Sequence, residues 1–382
     1  VRHDLVVTGG TVIDPASGLH GPADVAIAGG RIAAVGPGIG TADAADAIDA
    51  TGCLVVPGLV DLHVHVYWGV ADLSIRPGPN DLERGATTIV DAGSSGANTF
   101  PGFRRYVIEP FEGRILALLN ISAMGQIDPF LGELHDARYL IAERAAEVAL
   151  AHPDRIVGFK VRLTETLTGP NGRIALERAV EAGTIANLPV MVHVGGSTTT
   201  TDEIMGMLRP GDIVTHAFTD RPNGIFRDDG RVHDAALDAR RRGVRFDVGH
   251  GAGSFRFRRA EAALADGFPP DTISSDLHRF NDEGPVFDLV TTLSKLLHLG
   301  LPLETVIAMA TKAPAAAIGR SGAFGTLAPG AEADVAVLRL DEGPVTFSDA
   351  YGDTIEGRRR LVPVVTLRQG RRVIVGSHGS AR

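Results

Sequence analysis

The 382-residue sequence predicts an α/β chain: a (β/α)8 TIM barrel carrying a small β-sandwich domain built from both chain ends. Two observations predict it. From about Val55 onward, eight short β-type runs alternate with longer stretches, several of helical pattern. On either side of that region only short strands are readable, and no repeat, low-complexity tract or long linker interrupts the chain. Eight parallel strands favour a closed barrel, with an open doubly wound sheet as the structural alternative. The division expected is 1–53 and 322–382 for the sandwich and 54–321 for the barrel.

Residues 4–36 read as strands. Leu5-Val6-Val7 leads through Gly9-Gly10 to Thr11-Val12-Ile13, and Val25-Ala26-Ile27 turns at Gly29-Gly30 into Ile32–Val35. Gly-Gly between apolar runs signals a hairpin. Ile48–Gly52 reads as a turn delivering the chain to Cys53-Leu54-Val55-Val56. The eight runs are Leu54–Val66, Thr87–Ala92, Ile115–Ser122, Ile156–Leu163, Pro189–Val194, Asp212–Ala217, Val244–Gly249 and Thr272–Leu277. Helices are expected over Leu131–Ala151, Ile174–Asn187, Asp234–Arg242 and Arg258–Ala265. The clearest helix comes after the eighth run. Leu289, Val290, Leu293, Leu296 and Leu297 share one face, while Asp288, Thr291, Thr292 and Lys295 take the other; Gly300 and Pro302 end it. Strands return at Asp334–Leu338, Leu361–Leu367 and Val373–Val375.

Composition narrows the function classes. A single cysteine, Cys53, excludes a disulfide within the chain. No run approaches the roughly 20 apolar residues of a membrane helix. The first residues show no basic start followed by an apolar core, so a cytoplasmic protein is expected. A net charge of −9, without a basic stripe, argues against nucleic acid as a partner. Only three basic residues are lysine (Lys160, Lys295 and Lys312); the others are arginine.

In a barrel of this kind chemistry gathers at the C-terminal ends of the strands. Run one carries Asp61-Leu62-His63-Val64-His65, and strand alternation points His63 and His65 the same way. Lys160 interrupts the apolar fourth run, His193 and His216 end the fifth and sixth, and Asp276 lies at the end of the eighth. Singly, each has an ordinary explanation: a core histidine satisfied by its neighbours, an ion-paired lysine, a helix-capping aspartate. Four imidazoles, a lysine and a carboxylate at the ends of strands one, four, five, six and eight together point to a metal site.

These residues carry a resemblance. Asp61-Leu62-His63-Val64-His65, Lys160, His193, His216 and Asp276, with the later strand Asp334–Leu338, resemble the amidohydrolase superfamily along nearly the whole chain. The resemblance implies two divalent metal ions, with zinc suited to the donors. His63, His65 and Asp276 would hold one, His193 and His216 the other, and Lys160, carboxylated by carbon dioxide, would bridge them. It implies hydrolysis of an amide or ester by a metal-bridging hydroxide, with Asp276 as general base and then acid. Lysine suits the bridge because burial can neutralise its amine, whereas arginine stays charged.

Within the superfamily, dihydroorotases carry an arginine two residues after the second histidine; here Tyr67 stands there. D-aminoacylases use a cysteine ligand near the end of the second strand, where this chain has Asp91-Ala92-Gly93-Ser94. His65–Gly69, Asp91–Phe100 and Phe246–Phe255 resemble instead the dihydroorotase-like amidohydrolase/deacetylase branch. That branch implies deacetylation of small acetylated α-hydroxy acids, acetyl-(R)-mandelate among them, or of N-acetyl amino acids. The expected partner is therefore a small acylated acid, with no nucleic acid and no membrane, and association into a homo-oligomer is left open. Candidate substrate contacts are Arg162, His250, His278, Tyr67 and Asn98. Arg162 shares the face of Lys160, where it either clamps a carboxylate bidentately or pairs with a rim acid such as Glu165. A cyclic-amide hydrolase and a catalytically silent scaffold of the same fold are the competing readings.

Overall fold

The structure, a computed structural model, describes residues 2–128 and 130–373. In chain order the strands are β1 (His3–Thr8), β2 (Thr11–Asp14), β3 (Leu19–Pro22), β4 (Asp24–Ala28), β5 (Arg31–Gly36), β6 (Ala44–Asp49), β7 (Leu54–Pro57), β8 (Leu59–Val64), β9 (Ala86–Gly96), β10 (Arg114–Asn120), β11 (Ile156–Arg162), β12 (Val190–His193), β13 (Ile213–Thr215), β14 (Arg245–Phe246), β15 (Val335–Ser348), β16 (Thr354–Arg368) and β17 (Arg371–Arg372).

Strands β8 to β14 form one parallel sheet in chain order. The eighth segment closes it: Thr272 bridges Asp247 on one side and Leu277 bridges Val64 on the other. Val248 N donates to Thr272 O at 3.1 Å and Asp276 N to His63 O at 2.7 Å. Sequential order and closure give the (β/α)8 barrel and remove the doubly wound alternative, in which the strand order reverses. The expected strand Thr272–Leu277 does not form a regular ladder. Asp276 sits at φ 50°, which breaks the extended repeat, and His216 at φ 66° ends β13 in the same way.

Simple alternation fails along the first run. Val60 and Leu62 pack in the cluster inside the barrel, whereas Val64 and Val66 join the shell between barrel and helices. A register shift against β9 between Asp61 and Val64 absorbs the change of phase, so His63 and His65 continue the inward side. The run is also two strands. Leu54–Pro57 pairs with β15 and β2, so the barrel begins at Leu59 and not at residue 54.

The chain ends meet in two further sheets, ordered β5-β4-β1-β6 and β17-β16-β15-β7-β2-β3. Leu5, Val25, Ile27, Val55, Val335 and Leu367 pack between them. Gly29-Gly30 makes the expected hairpin of β4 and β5. Gly9-Gly10 does not: β1 pairs with β4 and β6, but β2 pairs with β3 and β7, so these glycines pass the chain from one sheet to the other. Residues 374–375 of the expected last strand lie outside the described residues.

Helices form at Gly172–Ala186, Asp234–Arg241, Phe257–Ala265 and Leu289–His298, close to expectation. Leu131–Ala151 shortens to Ala142–Ala151. The preceding segment turns inward: Leu134 N donates to Leu167 O at 3.1 Å, and Glu133 pairs with Arg162. On Leu289–His298 the polar Thr292 and Lys295 are buried. There β16 packs along the helix, with Leu361 N donating to Ser294 Oγ at 2.9 Å. Among the described residues no helix is long and apolar enough to cross a membrane.

Candidate metal centre

The strand ends bring the six expected residues to one place. His63 lies in β8 and His65 one residue past it, Lys160 in β11, His193 at the end of β12, His216 directly after β13, and Asp276 in the closing segment. Asp276 Oδ1 is 3.2 Å from Nε2 of both His63 and His65. Lys160 Nζ is 3.0 Å from His63 Nε2. The His193 and His216 rings are 4.2 Å apart, and those of His63 and His216 are 5.1 Å apart. Donor atoms of His63, His216 and Asp276 all lie within 4.8 Å of one another, which suits a metal ion.

Backbone and outer hydrogen bonds aim the imidazoles. Thr215 Oγ1 donates to Asp247 Oδ2 at 2.8 Å, so it accepts from His63 Nδ1 at 3.0 Å and leaves the Nε2 lone pair facing the cluster. His216 Nδ1 donates to Gly249 O at 2.7 Å, again freeing Nε2. His193 uses the other nitrogen. Thr164 Oγ1 donates to Gly195 O and accepts from His193 Nε2 at 3.1 Å, freeing Nδ1. His65 Nδ1 rests 3.0 Å from Ser94 Oγ. Such outer partners fix tautomer and ring orientation at metal sites.

The electrostatics agree. Burial, reinforced by the Lys160 charge, holds the His63 and His65 imidazoles well below the usual histidine range. Burial, with the Lys160 charge adding to it, brings His216 down to about 4. Neutral imidazoles with inward lone pairs are what a cation requires. Burial also brings Lys160 down to about 7. His216 and Asp276 are non-glycine residues at positive φ, a conformation costing about 1–3 kcal/mol that clusters at functional sites. Close approach demands glycine nearby. A Cβ on Gly93 would lie 2.7 Å from Lys160 Cβ, and one on Gly251 would lie 2.4 Å from Asp276 Oδ2.

The cluster floors a cavity of about 230 Å³ lined also by Leu73, Arg162, Arg221, Ala252, Gly253, Ser254 and His278. Of the expected substrate contacts, Arg162 and His278 line it. Arg162 makes a bidentate pair with Glu133, whose side chain is 3% exposed, at 2.7 and 2.9 Å, and not with Glu165. The other three lie outside the lining. His250 is buried behind it, bonded to Lys295 Nζ at 2.8 Å and Gly251 O at 2.9 Å. Tyr67 turns its hydroxyl to Thr99 O at 3.1 Å, and exposed Asn98 faces Met124. Sequence reasoning missed Arg221 and Glu133, which sit in loops with no pattern to mark them. It also gave no role to Asp247, which collects hydroxyl bonds from Thr215, Thr272 and Ser274 at 2.6–2.8 Å. An aspartate inside Phe246-Asp247-Val248 was the available signal. Asn281 was missed too; its Nδ2 holds Asp276 O at 2.7 Å.

Comparison with known proteins places this geometry. A family model described as "Amidohydrolase family" matches residues 289–374. A deacetylase of Agrobacterium fabrum is 40% identical over 342 residues, covering 89% of this chain and 84% of that protein. Among solved structures, a dihydroorotase superposes with a TM-score of 0.89 at 36% identity, covering 97% of each chain. An adenine deaminase superposes with a TM-score of 0.91 at 32% identity, covering 97% of this chain and all of the other. With a relative this similar along most of its length, and with imidazoles, lysine and carboxylate converging at the mouth of its barrel, the chain belongs to the amidohydrolase superfamily.

Proposed function

We propose that the chain is a metal-dependent deacetylase, cleaving the ester or amide bond of a small acetylated α-hydroxy or amino acid. The observation that carries the hydrolytic reading is the convergence of His63 Nε2 and His65 Nε2 on Asp276 Oδ1 beside buried Lys160. The similarity to the Agrobacterium fabrum deacetylase supports the acetyl group. His63, His65 and Asp276 would hold one divalent ion, most simply zinc, and His193 and His216 a second, with Lys160 as a carbamate between them. Bound there, the ions would supply Lewis acidity and lower the pKa of water.

The chain's own residues do the rest. A carbamate forms from a neutral amine, and burial that lowers Lys160 to about 7 leaves much of it neutral near pH 7. Its negative charge would replace an ammonium otherwise facing His63 Nε2 at 3.0 Å. Asp276 is pinned through its backbone by His63 O and Asn281 Nδ2. Its carboxylate takes the proton of the attacking water and returns it to the departing oxygen or nitrogen as the acyl bond breaks. Arg162, held by Glu133, walls the cavity.

The test joins metal analysis to a substrate panel. Protein from metal-replete medium should carry two ions per chain, show a carbamate carbon signal after labelling with ¹³C-bicarbonate, and hydrolyse acetyl-mandelate or N-acetyl amino acids. Turnover of only dihydroorotate or hydantoins would replace the reading with a cyclic-amide hydrolase. Metal-free protein under those conditions would leave the silent scaffold. Asp276→Asn should keep the fold and lose at least about 100-fold in kcat; near-wild-type turnover would remove Asp276 from proton transfer.

A further inference from the structure

Two arginines line the cavity, Arg162 and Arg221. Arg162 is committed to Glu133 by two hydrogen bonds. The Arg221 guanidinium has no ion pair or hydrogen bond among the described residues; only its backbone N bonds, to Thr219 Oγ1 at 3.3 Å.

The backbone on which Arg221 rides is held hard. Asp220, its neighbour, receives the guanidinium groups of Arg256, Arg258 and Arg259. Tyr351, in the turn between β15 and β16, reaches the barrel mouth from the C-terminal segment. Its hydroxyl accepts from Asp220 N at 3.0 Å and donates to Gly253 O at 2.9 Å. One phenol therefore ties the loop after β13 to the loop after β14. The guanidinium lies across Gly253, where an added Cβ would sit 3.0 Å from Nη2. A fixed backbone, an exposed and unpartnered guanidinium and a side-chain-free wall make a seat for an anion. Arg221 also borders an outer groove of about 790 Å³ with Thr200, Phe226 and His233, which leaves room beyond the seat.

We propose that Arg221 is the anchor for the substrate carboxylate, and that Tyr351 is the positioning residue that sets where the anchor stands. This rests on the deacetylase reading for the identity of the substrate. The anchor selects acids over neutral analogues because a guanidinium binds a carboxylate through two parallel charge-assisted bonds that a carboxamide cannot match.

The experiment compares acetyl-mandelate with acetyl-mandelamide in the metal-loaded wild type, Arg221→Met and Tyr351→Phe. In Arg221→Met the preference for the acid in kcat/KM should fall about 30-fold, mostly through KM. In Tyr351→Phe it should fall about 3-fold with metal content as in the wild type. Equal losses on acid and amide would overturn the proposal. Calorimetry with mandelate and mandelamide separates this from the deacetylase reading. If the wild type hydrolyses neither ester, that reading fails, while mandelate binding weakened at least about 10-fold in Arg221→Met still supports the anchor. Unchanged mandelate affinity would sink it.

Discussion

Two lysines are buried in this chain, and their surroundings teach what makes a site. Lys160 in β11 and Lys295 on helix Leu289–His298 are 0% and 1% exposed. Burial lowers both ammonium groups to about 7. Each touches an imidazole Nε2, at 3.0 Å for His63 and 2.8 Å for His250. The difference lies in what remains unsatisfied. Lys295 also donates to Pro285 O at 2.7 Å, and His250 completes its bonding at Gly251 O and stacks on Phe255. That pair is closed. Around Lys160, lone pairs of several histidines and a carboxylate face inward, and among the described residues no donor uses them all. A buried lysine beside a histidine is therefore not by itself a metal site; convergence of unused acceptors is.

The largest effect should come from Lys160→Ala. Its loss should lower bound metal below the wild-type stoichiometry and cut activity at least about 100-fold while the chain still unfolds cooperatively. Metal content and activity like the wild type would make Lys160 a structural lysine of the Lys295 kind. Lys295→Met should do the opposite. It strips partners from His250 Nε2 and Pro285 O, so denaturant unfolding should show a loss of about 2–4 kcal/mol, with metal content unchanged in the folded protein. Loss of metal from a stably folded Lys295→Met protein would erase the contrast.

A third buried group, far from either lysine, sharpens the contrast at smaller scale. Asp81 Oδ1 accepts from Gly78 N at 2.8 Å and from Leu82 N, but Oδ2 has no partner among the described residues. Burial raises its pKa from 3.8 to about 7. The folded state therefore holds this proton where the unfolded chain has lost it. Its contribution to stability is full below pH 3.8 and is lost as the pH rises through about 7. Asp81→Asn keeps the acceptor and removes the ionisation. Its stability relative to the wild type should rise across that window and level off above it in melts at stepped pH. A gap independent of pH would mean that Asp81 ionises as an exposed carboxylate does.

Much of the barrel was legible because polar residues stand out in apolar strands. His63, His65, Lys160, His193 and His216 interrupt runs of valine, isoleucine and methionine, and burial of such groups needs a reason. The closing segment was legible as a run but not as an irregular one, since the positive φ of Asp276 comes from its bonds to His63 and Asn281. The substrate wall was the least legible part. His250 and Tyr67 looked like contacts from their motifs, yet each is satisfied by partners away from the cavity.

The sequence alone determined which chemistry could assemble: the residue types at the strand ends, the alternation that stacks strands into a barrel, and the single lysine able to lose its charge there. Those are local properties of side chains and periodicity. Tertiary structure decided which nitrogen of each imidazole faces inward, that a register shift in β8 keeps both first histidines inside, and which of two arginines is free. These depend on partners far apart in the chain, as when Tyr351 reaches the loop at Thr219 across 132 residues. Whether a charge is neutralised or left available is set by what folding brings within a few ångströms of it, and strand pattern carries no record of that.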